Sequence, residues 1–80
     1  MESIPDQTTP ILVVDDDQGL LLSTEATLLS AGLPEPALVS DGRRVIDLVK
    51  KNQFQVILLD LMMPHVGGLE LLKQLKEQYP

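Results

Sequence analysis

An α/β fold with a parallel sheet is what this 80-residue sequence predicts, on three observations. Two strong apolar runs, Ile11-Leu12-Val13-Val14 and Phe54 to Leu59, have the length and branching of strands buried on both faces, as in a parallel sheet. Between and after them lie segments with helical spacing of leucine and valine. Each strong run ends in acid, at Asp15-Asp16-Asp17 and at Asp60. The resulting order, β-α-β-α-β-α, argues for parallel strands joined by helical crossovers.

Each element has its own signal. Met1 to Pro10 is polar with two prolines and reads as a mobile arm outside the fold, leaving residues 11–80 as the folded part. After the first run, Gln18 to Ala31 reads as a helix. Asp17 is placed to cap its N-terminus and Gly32 to end it, and Leu20, Leu21, Thr24, Leu28 and Ala31 mark one face. The extra apolar positions Leu22, Ala26 and Leu29 supply a second face. Leu33 to Pro36 is a connector with two prolines, and Ala37-Leu38-Val39 a short second strand. Ser40-Asp41-Gly42 is a turn. Arg43 to Asn52 then forms a short helix with Val45, Ile46, Leu48 and Val49 on its apolar side. Phe54 to Leu59 is the third strand, and residues 61–68 a loop. The last helix runs from about Leu69 to Gln78, with Leu69, Leu72 and Leu75 on one face.

Composition narrows the function. With one Phe and one Tyr, the core must be aliphatic, which suits a sheet covered by helices. There is no cysteine, so neither a disulfide nor a thiolate metal site supports this short chain. The net charge of −6 argues against nucleic-acid binding by this segment, because phosphate contacts need Lys and Arg. No apolar stretch is long enough to span a membrane and no signal peptide is apparent, so a cytoplasmic protein is expected.

In a parallel sheet the C-terminal ends of the strands share one edge, where ligands bind. If the first and third strands are neighbours, Asp15, Asp16 and Asp60 meet there. Three carboxylates held together repel one another, so they take up a proton or a cation. Hard oxygen ligands in an open site favour Mg²⁺, and a carboxylate can also attack phosphorus to form an acyl phosphate. Taken singly, each feature has a plainer explanation: Asp15 to Asp17 as a helix cap, Asp60 as a turn residue, Met62-Met63-Pro64 as loop filler, Gly67-Gly68 as a flexible helix entry, His65 as a surface residue.

In combination they are far more specific. Ile-Leu-Val-Val-Asp-Asp-Asp, with Asp60 following 44 residues after Asp16, resembles the receiver domain of two-component response regulators. So does Val-Ile-Leu-Leu-Asp-Leu-Met-Met-Pro-His-Val-Gly-Gly-Leu-Glu-Leu-Leu, and the likeness spans about residues 11 to 80. The resemblance implies a flavodoxin-like, doubly wound sheet of which this chain holds strands in the order 2-1-3, strands four and five being absent. It implies that Asp60 is the phosphoacceptor for a sensor histidine kinase and that Asp16 ligates Mg²⁺ directly. It further implies that Asp15 holds a metal-bound water and that the Met62 backbone carbonyl is the third protein ligand. Pro64 and Gly68 match the residues that shape the adjoining loop; the position of Gly67 is commonly Asp in the family.

The family's phosphate-binding Ser or Thr and its Lys lie on strands four and five, and Lys50, Lys51, Lys73 and Lys76 all fall on expected helices. The resemblance therefore implies a truncated phosphoacceptor with impaired activity, not an enzyme, with a DNA-binding output domain, where one exists, outside this chain. Two alternatives compete: a receiver-like binding or assembly module that takes no phosphate, and a Mg²⁺-dependent aspartyl phosphohydrolase suggested by Asp15-x-Asp17. An uncovered third strand also implies a dimer or higher oligomer, through strand edges or exchange of elements.

Overall fold

Ile11 to Val14 is buried at every residue because it is hydrogen-bonded and packed on all sides. In the computed structural model, which describes residues 2–5, 9–61, 63 and 67–78, this run is the inner strand of a four-stranded sheet. The elements are β1 (Glu2–Ser3), β2 (Ile11–Val14), α1 (Gln18–Ser30), β3 (Ala37–Val39), a 3₁₀ turn (Gly42–Arg44), α2 (Val45–Lys51), β4 (Val56–Leu59) and α3 (Gly68–Gln78). β2 pairs in parallel with β3 on one side and with β4 on the other. β1 pairs antiparallel with β3, opposing Glu2 to Val39 and Ser3 to Leu38. The order is therefore β1-β3-β2-β4.

That order corrects two expectations. The sheet has four strands and is mixed, where three parallel strands were expected: the expected three stand parallel as β3-β2-β4, and β1 is added antiparallel at the outer edge of β3. The residues expected to form a mobile arm, 1–10, include a strand and a buried anchor. Thr9 is buried and its hydroxyl donates to the Glu35 carbonyl at 2.6 Å. Ile4 packs against the core and Glu2 pairs with Arg44 at 3.4 Å. The physical reason is the outer edge of β3, whose unpaired backbone groups gain partners from any extended segment laid beside it. Two polar residues carry no apolar pattern that would reveal this.

Side chains alternate across the sheet, as the pleat requires. Ile11, Val13 and Leu38 pack on one face with Leu21 of α1. Leu12, Val14, Ala37 and Val39 pack on the other with Val45 and Leu48 of α2 and Leu71 and Leu75 of α3. β4 follows this alternation only in part. Ile57 and Leu59 join the α2–α3 side, whereas Val56 and Leu58 remain 47% and 41% exposed on the α1 side.

The helix ends form as their sequences dictate. The Asp17 carboxylate accepts from the Leu20 N–H at 3.2 Å. At the other end Gly32 adopts a positive φ of 82°, with Gly32 N–H bonded to Leu29 O and Leu33 N–H to Leu28 O, which satisfies the last carbonyls. The 3₁₀ turn ahead of α2 is capped by Asp41, whose carboxylate accepts from the Arg43 N–H and guanidinium. The Asn52 side chain donates to Leu48 O at the end of α2.

Two helix faces differ from expectation. On α1 only Leu21 is fully buried, and Leu20 is 53% exposed. On α3 the buried stripe is Gly68, Leu71 and Leu75, while Leu69 (56% exposed) and Leu72 turn outward. Leucine at 69, 71, 72 and 75 permits either rotation of the helix, and a tight contact at Gly68 selects one. No helix among the described residues is long and apolar enough to cross a membrane.

Because Leu21 is the one fully buried anchor of α1, Leu21→Ala should cost about 2–5 kcal/mol by cavity formation. Leu22→Ala, on the exposed side, should cost about 0.5 kcal/mol or less. Urea unfolding of both variants checks this, and equal losses would mean that α1 packs in another rotation.

Candidate functional site

The site forms where two parallel strands end in register. Val14 of β2 stands opposite Leu59 of β4, so the residues that follow, Asp15 and Asp60, leave the sheet side by side. The ladder continues into them: Asp60 N–H donates to Val14 O at 2.9 Å and Asp15 N–H to Val39 O at 3.1 Å. Backbone hydrogen bonds thus hold both acids at the C-terminal edge. Asp16 follows in the turn toward α1, and one carboxylate oxygen from each of Asp15, Asp16 and Asp60 lies within 4.8 Å of the other two. Asp15 and Asp60 are half-buried and Asp16 is exposed.

Asp17 has a separate task. Its side chain caps α1, and its N–H donates to Asp15 Oδ1 at 3.0 Å, which orients the Asp15 carboxylate. Burial raises the Asp15 carboxyl above its ordinary value of 3.8, and the neighbouring charges of Asp60 and Asp16 and a hydrogen bond with Asp60 add to the rise. The Asp17 N–H opposes it. Oxygen donors this close, with charge to offset, fit a hard divalent cation such as Mg²⁺.

α3 begins directly against this edge. A Cβ placed on Gly68 would overlap the Asp60 carbonyl oxygen and the Leu61 Cα, so only glycine lets the helix approach so closely. Gly67 has open space around it and its carbonyl accepts from Leu71 N–H, starting the helix. The position of Gly68, expected to shape the loop, therefore touches the backbone of Asp60 itself. Met62, Pro64 and His65 lie outside the described residues.

Sequence reasoning missed Met63. It was grouped with loop filler, yet it is buried and belongs to the core under α2 and α3. Its one available signal was a large apolar side chain beside a strand end. Lys50 and Lys51 lie on α2 and Lys73 and Lys76 on α3, as expected.

A family model of the response regulator receiver domain matches residues 11–80. The chain is 39% identical over 66 residues to the response regulator MprA of Mycolicibacterium vanbaalenii, covering 82% of this chain and 28% of that protein. It is 38% identical over 68 residues to the DNA-binding transcriptional regulator NtrC of Klebsiella pneumoniae, covering 85% of this chain and 14% of that protein. Among solved structures, the receiver domain of a Francisella response regulator superposes with a TM-score of 0.78 at 32% identity, over 85% of this chain and 55% of that one.

Two measurements probe this geometry. Gly68→Ala should destabilise the fold by about 1–3 kcal/mol, because backbone atoms must move to admit the methyl group, while Gly67→Ala should be nearly neutral. Equal effects in chemical denaturation would remove the close approach as the reason for glycine. The second concerns pH. The folded chain holds the Asp15 proton more tightly than the unfolded chain, so this group favours folding below the ordinary carboxylate range, and that contribution is lost as pH rises through its raised value. Asp60→Asn removes a facing charge, so Asp15 should titrate closer to 3.8 and the loss with rising pH should shrink. Carboxyl carbon NMR across a pH series, paired with urea unfolding, reads both effects.

Proposed function

Because the chain belongs to the response regulator receiver domain family, we propose that Asp60 is its phosphoacceptor and that a sensor histidine kinase is its donor. The observation that carries this reading is the convergence of Asp15, Asp16 and Asp60 at the C-terminal edge of the sheet. A carboxylate oxygen of Asp60 attacks the phosphorus of a phosphohistidine. The new O–P bond makes an acyl phosphate, the P–N bond breaks, and the departing imidazole takes its proton from solvent. Asp16 would ligate Mg²⁺ directly and Asp15 would hold it through a water, and the resemblance assigns the remaining protein ligand to the backbone carbonyl of Met62, which lies outside the described residues. Mg²⁺, when bound, offsets the charge that the acids and phosphoryl oxygens bring together.

The chain's own residues supply position. The β2–β4 ladder holds Asp60, the Asp17 N–H orients Asp15, and Gly68 admits α3 against the Asp60 backbone. Gly68 supports the loop-shaping role that the resemblance gives it, and Pro64, to which it gives the same role, lies outside the described residues. In this role the chain is a signalling module of the cytoplasm, and the likeness to a DNA-binding regulator supports an output domain outside these residues. The family's phosphate-binding Ser or Thr and Lys belong to its fourth and fifth strands. A polypeptide of these 80 residues alone is therefore expected to phosphorylate slowly and hold the group briefly.

Incubation with acetyl phosphate and Mg²⁺, followed by borohydride trapping and peptide mass spectrometry, should place the label on Asp60. Asp60→Asn should abolish labelling, and Asp16→Ala should reduce both labelling and Mg²⁺ affinity by tenfold or more, roughly the loss of one charged ligand. Labelling that survives Asp60→Asn would sink the assignment.

The outer edge of β4 supports a second proposal, about assembly. Among the described residues β4 pairs only with β2, and Val56 and Leu58 are exposed beside that edge. Such an edge is a template for another strand. A polypeptide of these 80 residues alone is proposed to form a symmetric dimer or higher oligomer through it, or by exchange of elements. Sedimentation at increasing concentration is the test, and a monomer with sharp cooperative unfolding at high micromolar concentration would falsify it.

A further inference from the structure

α1 carries more leucine than the sheet beneath it uses. Leu21 is buried and Leu28 packs against the same cluster, whereas Leu22 and Leu29 are 50% and 45% exposed. Leu22, Ala26 and Leu29, at i, i+4 and i+7, lie within about 60° of one another round the helix and roughly 100° from Leu21. Chirality decides which side they occupy. β2, α1 and β3 form a right-handed crossover in which α1 runs antiparallel to its strands, so the turn from Leu21 to Leu22 leads toward β3. Leu20 falls on the opposite flank, toward β4, where Val56 and Leu58 are exposed. A longer receiver adds its strands beyond β4, so they close over the Leu20 flank and not over this one. On the β3 side the added strand is β1, and the residue it presents on the α1 face, opposite Leu38, is the exposed Ser3.

We propose that the Leu22-Ala26-Leu29 stripe is the contact face of a two-fold dimer, in which α1 packs antiparallel against α1 of a second copy. Charge selects that occupant. The chain carries 12 Asp and Glu and six Lys and Arg, yet α1 holds only Glu25, which is half-buried, and Ser23 and Ser30 border the stripe on its outer side. A strongly basic or acidic partner finds no row of counter-charges here. An uncharged apolar helix with the same spacing does fit, and the stripe's own copy is one. The order large-small-large is also self-complementary. About a two-fold axis at Ala26, Leu22 of one copy meets Leu29 of the other, and the two alanines let the helices approach closely. Glu25 stands beside that axis, so the two copies bring like charges together and the dimer is a weak one. This contact is separate from the outer edge of β4.

Cross-linking reads this geometry directly, because the chain has no cysteine of its own. Ala26→Cys chains should couple to one another under mild oxidation or with a short thiol-reactive linker. A mixture of Leu22→Cys and Leu29→Cys chains should give the mixed pair, and Leu20→Cys, on the β4 flank, should give little product. Sedimentation of the unaltered chain at rising concentration should show association that the Leu22→Ala/Leu29→Ala variant weakens roughly tenfold or more. Both positions are exposed, so that variant should keep its fold, which urea unfolding checks. Glu25→Gln, by removing the like charges nearest the axis, should tighten the dimer. Coupling through Leu20→Cys as readily as through Ala26→Cys would overturn the proposal. So would a chain that stays monomeric at high micromolar concentration, or association that the double alanine variant leaves unchanged; the last result would leave the β4 edge as the seat of assembly.

Discussion

β2 is hydrogen-bonded on both sides, and everything else in this molecule is placed by that. Its four residues align β3 and β4 in register, and the alternation of its side chains sets up two packing faces. A strand in that position must be apolar throughout, which Ile-Leu-Val-Val is. It must also be followed at once by groups that tolerate solvent, because the edge of the sheet is where its burial ends. Asp15 is the first such group. The same register that buries Val14 against Leu59 places the acids next to one another.

Clustering those acids has an energetic cost that backbone geometry bears. Asp15 is held by the ladder bond to Val39 and by the Asp17 N–H, so it cannot swing away from Asp60 to relieve repulsion without giving up hydrogen bonds. Burial first, and then the charges of Asp60 and Asp16, raise its titration, against the opposing effect of the Asp17 N–H. Strain of this kind is what makes a site receptive to a cation: the ligands are already assembled, and binding relieves a repulsion that folding imposed. The approach of α3 through Gly68 adds a second constraint, a close contact with the backbone of Asp60 and Leu61.

The two outer strands behave differently. β3 has its outer edge covered by β1, with Ile4 and Thr9 anchoring the segment that carries it. β4 packs with α2 and α3 on one face but leaves Val56 and Leu58 open on the other. The acids lie at the C-terminal ends of the strands, which the receiver family resemblance accounts for.

Much of this was legible from residues alone. Ile11 to Val14 and Ala37 to Val39 are strands at the expected positions, because uninterrupted branched apolar residues leave the backbone few other choices. Asp17 and Gly32 end α1 as read, because capping is local chemistry between neighbours in sequence. The meeting of Asp15, Asp16 and Asp60 also followed from sequence, since two strands in one parallel sheet must release their chains at the same edge. Other features depended on contacts between segments far apart. Glu2 and Ser3 became a strand only because β3 had an unpaired edge. Met63 became core only because α2 and α3 close over it. Leu71 turned inward, with Leu69 and Leu72 outward, because Gly68 meets the backbone of Asp60 and fixes the rotation of α3. A leucine-rich helix offers several faces of nearly equal apolarity, and only the surface that it lands on chooses among them.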